Sequence, residues 1–462
     1  MIHHAGKLTP YKEGSVKELW AISYPLILSM LSINIMIFVD RLLLARYDTR
    51  AMNAAVVAGF VFSVFQYGAI GIAAIAEVFT GQYNGSQQCS KIGEPVWQMI
   101  WFSVLSLFIF IPVGQFAGPL LISNPEYFQD GVPFFKTLMF FGPTFPLATA
   151  IASFFVGRGK VKMVMSITIF SNILNVFFDC ILIFGVENFI EPQGAKGAAI
   201  ATGIAQAVQA FLLLGIFLRS RYRRSFGTSK WQFKPKLFWQ AFQIGAPNAM
   251  SSIVEALAWC ALAQMLASVS EAHITIFSIG DSFFALFTFG FWGLQKGMIA
   301  VAANFIGANR EAMISKTIRS GLKIVFAILV LYVIPMFLFP EWLAKWFFPP
   351  DSIANAEIGH YTAIMMRWLW VYFLFEALSW LFCGVLTAAG DTKFVMIMNS
   401  LSAWAFCIVP TYFWVTFFEG SPVISWAWCS FYAFMTTLSF YFRYKSKRWI
   451  NDQPLYALES AE

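Results

Sequence analysis

Twelve apolar stretches, each long enough to cross a bilayer as a helix, fix what this chain can fold into. They lie near residues 19–43, 54–80, 97–122, 133–156, 163–185, 197–218, 239–268, 273–303, 321–346, 361–387, 394–418 and 423–442. About twenty apolar residues in a helix cover the hydrocarbon of a membrane. Hydrophobic residues make up 59% of the 462 and charged ones only 12%, more apolar surface than a soluble core can hide. The stretches leave no room for a sizeable soluble domain. The first is too long for a signal peptide and ends without a cleavage pattern, so it is expected to be kept. The fold class is therefore an all-α polytopic membrane protein.

The net charge of +7 is distributed unevenly. With the N-terminus inside, the segments on that side carry 23 Lys and Arg, from Lys7 and Lys12 to Lys447 and Arg448, with Arg219 to Lys236 between spans 6 and 7. The other side carries six: Arg41, Arg46, Arg50, Lys136, Lys196 and Lys345. The positive-inside rule then puts both termini in the cytoplasm, in a cell inner (plasma) membrane, and supports an even number of spans. Placed in this way, the basic residues leave little support for a nucleic-acid partner. The six cysteines lie mostly within apolar spans without a CxxC, the four histidines lack metal-ligand spacing, and no phosphate-binding GxxxxGK[ST] occurs. No cofactor is expected, and any pumping must draw on an ion gradient. An enzyme would need a cluster of aspartates or histidines facing the cytoplasm, and the sequence has none.

The chain repeats itself. Pro25 in ISYPLILS and Pro247 in IGAPNAMS stand at an offset of 222, as do Gln82 and Asn304, and Gly85 and Gly307. GKVKMVM at 159–165 matches GDTKFVM at 390–396 with an offset of 231. Three anchors in order read as a duplication of six spans. The two lobes are expected to relate by a pseudo-two-fold axis along the membrane normal, with a cavity between them. The boundaries are an N-lobe over 1–219, a basic linker over 220–238, a C-lobe over 239–444 and a cytoplasmic tail over 445–462. The linker reads as a solvated loop that anchors orientation. The acids are not duplicated: Asp179 maps onto Pro410, Asp40 onto Leu262, and Glu255 onto Ile33.

Ionisable residues inside spans are costly and point to function. Asn175 and Asp179 share one face of span 5 at helical spacing. Asp40 in span 1 and Thr202 in span 6 lie at comparable depth. If these spans share a bundle, the four supply an all-oxygen cluster that holds a hard cation such as Na+, or a shared proton. In the second half Glu255 and Glu376 lie mid-span, with Tyr372 one turn before Glu376 and placed to donate to it. Asp281 is expected in the outer part of span 8, facing water. Glu77 and Lys296 fall at similar depth in equivalent helices and are expected to pair across the lobes as a cytoplasmic gate. Trp259 and Trp380, one turn past the two glutamates, could stack on a flat cation.

FVDRLLLA after the span 1 proline, Gln82-Tyr-Asn-Gly85, NILNVFFDCILIFG, GAKGAAIAT and GVLTAAGDT occur in this order along the chain. In this the chain resembles the multidrug and toxic compound extrusion (MATE) family over nearly its whole length. The resemblance implies a monomeric antiporter that exports amphipathic, cationic small molecules by alternating access in exchange for H+ or Na+. It implies an N-lobe cation site at Asp40, Asn175, Asp179 and Thr202, and a C-lobe site at Glu255, Tyr372 and Glu376. The chain departs from the family in having Glu376 where Asp is usual, and Arg41 after Asp40. A flippase for a lipid-linked precursor, from the same superfamily, would be expected to have fourteen spans and a basic cavity.

Overall fold

The computed structural model describes residues 7–122, 125–340, 342 and 354–450, and among these it is all-helical apart from one isolated β-bridge at Val186 and Ile190. Eleven helices are long and apolar enough to cross a membrane. In chain order they are α1 Val16–Tyr47, α2 Thr49–Gly85, α3 Cys89–Leu121, α4 Phe128–Val156, α5 Val161–Phe184, α6 Gly194–Phe217, α7 Pro235–Val269, α8 Glu271–Gly307, α9 Ala312–Leu338, α10 Gly359–Ala388 and α11 Thr392–Phe417. The twelfth, α12, is the 22-residue helix Ile424–Lys445, whose Ser, Thr, Trp and Tyr residues make it less apolar than the rest. The expected span 321–346 is realised as α9, shifted toward the N-terminus. Its positions 341 and 343–346, like residues 451–462 of the expected tail, lie outside the described residues.

Several helices outrun the expected spans because polar caps, and not the ends of apolar runs, stop them. Asp48 alone separates α1 from α2, and its carboxylate accepts from Arg50 N at 2.9 Å. Ser270 alone separates α7 from α8, and its hydroxyl accepts from His273 N. The two corners, Asp48 and Ser270, are related by the same offset as the prolines.

The lobes α1–α6 and α7–α12 meet through α1 on α8, α2 on α7, and α2 on α8. Their closest contacts obey the two-fold. A Cβ on Gly71 would fall 2.9 Å from Ala249 Cα, and one on Gly293 would fall 2.6 Å from Ile27 N. These are one contact seen from both lobes. A Cβ on Gly81 would meet the Cβ of Ala303, its own counterpart, at 2.6 Å, so the axis passes between them. Gly85 presses on the Asn304 carbonyl, and Gly307 on that of Gln82. Asn84 Nδ2 donates to Asn304 Oδ1 at 2.6 Å across this crossing, and Gln82 Nε2 donates to the Ala388 carbonyl at 2.9 Å. All these contacts lie in the half of the helices next to the basic end, which is sealed. In the other half of α1, residues 30–43 include no buried side chain.

The basic linker keeps most of its side chains in solvent, as expected, but it is partly helical and packs on the N-lobe. Residues Ser220–Phe226 form a short helix, and their Tyr222 and Phe226 rings, with Phe154, enclose the Arg158 guanidinium, which sits 3.5 Å from the Phe226 centroid. Burial there lowers the Arg158 pKa to about 10, so it remains cationic at neutral pH. Farther on, the linker lies along α3. Trp97 and Trp101 indoles donate to the carbonyls of Thr228 and Trp231, and Gln98 bridges Gln232 O and Lys234 N. Glu94, buried in α3, pairs with Lys230 at 2.9 Å and with Lys234. A lone carboxylate in that position would be costly, and the lysines meet it.

The N-terminal segment repeats this arrangement on the other lobe. Before α1, Glu13 pairs with Arg310 at 2.7 Å, Lys316 Nζ donates to the Glu13 carbonyl, and Ser320 Oγ donates to the Gly14 carbonyl at 2.7 Å. Glu94 and Gln98 correspond by the offset to Lys316 and Ser320. In each half the segment leading into the first helix is thus pinned to the third helix of the other half.

The third helices share a further feature. Each carries a π-turn near its far end, Val113–Ala117 in α3 and Ile334–Leu338 in α9. A third π-turn, Trp404–Ile408, interrupts α11 just before Pro410. Proline has no N–H to offer the preceding turn, so the helix widens there.

Candidate cation-binding site

In α5 one buried stripe reads Val161, Val164, Thr168, Ser171, Asn175, Asp179 and Ile183. The spacing of three and four residues keeps these on one face, and the bundle turns that face toward α1 and α6. Asp179 and Asn175 are fully buried, and Asp40 from α1 faces Asp179. With its amide oriented so that nitrogen meets the carboxylates, Asn175 donates to Asp40 Oδ1 at 2.9 Å and to Asp179 Oδ2 at 3.3 Å. Its oxygen then takes the Thr202 N–H at 3.1 Å, and the Thr202 hydroxyl lies within 3.3 Å of the amide. Asp179 Oδ1 has no hydrogen-bond partner. The four residues anticipated from the sequence therefore meet in one polar cluster, held together by an amide that touches the other three, with its nitrogen rather than its oxygen toward the carboxylates.

Two polar contacts under this pocket were not anticipated. Asn172 Nδ2 donates to Ser32 Oγ at 2.7 Å, and Gln209 Nε2 donates to Thr168 Oγ1 at 3.0 Å. Both involve polar residues on the inner faces of α5 and its neighbours, a signal the helical spacing already carried.

In the C-lobe Glu376 is buried and Glu255 partly so, close enough to feel each other's charge. Trp259 lies against Glu255 and Trp380 against Glu376, one turn along each helix. The Trp259 ring also stacks on Phe277 and Phe284, with Trp426 at 6.4 Å. The Tyr372 hydroxyl, also buried, lies against Glu376 from one turn earlier in the same helix. Asp281 is exposed on the outer half of α8, beside a shallow cleft lined by Thr275, Ser278 and Ser282.

Glu77 and Lys296 sense each other's charge, yet no ion pair within 4 Å joins them, and Glu77 Oε1 is without a partner. Equivalent depth did not bring the two ends together. The seal at this end is made by backbone packing at Gly81, Gly85 and Gly307.

The model of the MatE family matches this chain twice, over residues 25–181 and 247–413. The two matches begin at Pro25 and Pro247, the same pair that opens the internal repeat. The probable multidrug resistance protein NorM of Thermotoga maritima is 22% identical over 396 residues, covering 84% of this chain and 83% of that protein. The NorM counterpart in Bacillus cereus is 22% identical over 419 residues, covering 89% and 91%. A crystal structure of MATE in complex with MaL6 superposes with a TM-score of 0.85 at 16% identity, covering 99% of this chain and 100% of that one.

Proposed function

The chain belongs to the MatE family of membrane transporters, and we propose that it exports amphipathic organic cations in exchange for an entering H+ or Na+. The reading rests on one observation above others: Asp40, Asn175, Asp179 and Thr202 meet in a polar pocket whose buried Asp179 retains an unpartnered carboxylate oxygen. Two carboxyls facing each other off the aqueous phase hold one cation, or one proton, far more cheaply than they hold two negative charges.

Alternating access then follows from the two-fold arrangement. The state described is sealed at the basic end, which the charge distribution assigns to the cytoplasm, so the cleft faces outward. An entering cation gains about 2.3 kcal/mol per 100 mV of inside-negative potential. It drives export when ion and substrate favour different states of the protein. Loading the pocket removes negative charge between α1, α5 and α6 and lets these helices repack toward the cleft. On the facing lobe, Glu255 and Glu376 with Trp259 and Trp380 offer charge and aromatic faces to a flat cation. The protein sits in the inner membrane with both termini cytoplasmic and works as a monomer.

Efflux from proteoliposomes of a fluorescent organic cation, under separately imposed proton and sodium gradients, tests this. One gradient should drive efflux in the wild type, and Asp179→Asn should abolish the driven component while the protein inserts and folds. Efflux at the wild-type rate by that variant would refute the assignment.

A further inference from the structure

Below the Asp40–Asp179 pocket the interface of α1 and α5 stays polar. Two turns down α5 from Asp179, Ser171 is buried and its hydroxyl meets no partner, and Asn172 beside it donates to Ser32. From Ser32 the polar line continues along α1. Ser32 Oγ donates to the Ser29 carbonyl at 3.0 Å, and Ser29 Oγ to the Pro25 carbonyl at 2.9 Å. Ser23, fully buried with an unpartnered hydroxyl, packs against Gly297 beside Lys296. Lys296 senses Glu77, whose Oε1 is also unpartnered, as is Thr80 Oγ1 one turn on. Asp179, Ser171, Ser23, Thr80 and Glu77 therefore place buried, unpartnered oxygens at intervals from the outer half of the lobe to the sealed end. Each such oxygen costs free energy unless a small hydrogen-bonding species meets it.

We propose that this file is the route by which protons leave the Asp40–Asp179 pair toward the cytoplasm, with Glu77 as its last protein acceptor. The inference rests on the coupling reading above and assigns its ion. Single hydroxyls one or two turns apart cannot surround Na+, which needs several oxygens at once, but they order a line of water. Along that line each oxygen takes a proton from one neighbour as it gives one to the next, so no charge is left behind. The proton lost by the carboxyl pair reaches Glu77, and passes from it to cytoplasmic water only once the sealed end opens, so the gradient does not leak. Lys296 holds the emptied Glu77 carboxylate by its charge, and Asn172 fixes the bend where the line passes from α5 to α1.

The test compares two fluxes in proteoliposomes holding a trapped pH dye. One is proton movement coupled to substrate; the other is counterflow exchange of labelled against unlabelled organic cation with no ion gradient. Asn172→Leu and Glu77→Gln should each slow proton movement about tenfold, a barrier increase near 1.4 kcal/mol, while counterflow continues. Glu77→Asp should restore proton movement. Unchanged proton movement in both variants overturns the route, and so does an equal loss of both fluxes, which marks a structural role. A wild type that moves no protons and follows sodium instead overturns the choice of ion, and with it this route, while leaving the pocket's coupling role standing.

Discussion

The pin between Glu94 and the linker makes a quantitative prediction about the resting state. Glu94→Ala removes a side chain only 6% exposed, whereas its partners Lys230 and Lys234 are 50% and 39% exposed. Breaking a fully buried pair costs about 3–5 kcal/mol because the surviving charge is stranded. Here the survivors are the half-exposed lysines, which turn into water, so about 2 kcal/mol is the expected loss. If that energy holds the basic end shut, the ratio of open to closed should rise about 30-fold. A minor open state of about 1% would then reach about a quarter of the molecules. Ser90 and Ala312 are exposed, two-fold mates by the repeat offset, and lie on opposite lobes beside the seal. Spin labels on cysteines there, in a background without the native cysteines, report the separation by pulsed dipolar spectroscopy. Wild type should show one short distance and Glu94→Ala an added longer one, while Glu94→Gln should lie between them. A distance distribution unchanged in Glu94→Ala would show that the linker rides on α3 without holding the lobes together.

Other outcomes follow from features on the same face. Gly85→Ala and Gly307→Ala each force a Cβ onto a backbone carbonyl of the opposite lobe, which no rotamer relieves, at about 1–3 kcal/mol. Since the two sites are two-fold mates, both should populate the longer spin-label distance to similar extents. Glu13 has its pKa held below the ordinary glutamate value chiefly by Arg310, so its pin contributes at neutral pH and is lost as pH falls through that lowered value. Proteolysis at the N-terminal segment should therefore accelerate in acid, and Arg310→Met should show the fast rate already at pH 7. Arg158→Lys keeps the charge but loses the flat stack on Phe226, and should lower the melting temperature in detergent by a few degrees, on the order of 1 kcal/mol.

Much of the fold was legible because the repeat is written in residues with steric duties. Gly85 and Gly307 recur at a fixed offset because each lies where two backbones touch, and Pro25 and Pro247 stand inside equivalent helices. The pocket was legible because Asn175 and Asp179 interrupt an apolar helix at a spacing that fixes their face. What escaped was contact between elements far apart in sequence. Depth along a helix places Glu77 and Lys296 at one level but says nothing of the angle at which each side chain leaves its axis, so the anticipated pair did not form. The linker's packing on α3 was missed because nothing local marks Glu94, four membrane crossings earlier in the chain, as the partner of Lys230 and Lys234.

The π-turn of α11 occupies the ground that corresponds, in the other copy, to the ion pocket: Pro410 stands opposite Asp179, and Phe406 opposite Asn175. Two identical six-helix subunits paired around the same axis would each have to carry the pocket, or each the bend. Joining the copies in one polypeptide frees them to diverge, so one keeps a charge-sensitive core while its twin accepts a proline there. The machine is symmetric in its frame and lopsided in its chemistry, and one entering ion can therefore unbalance it.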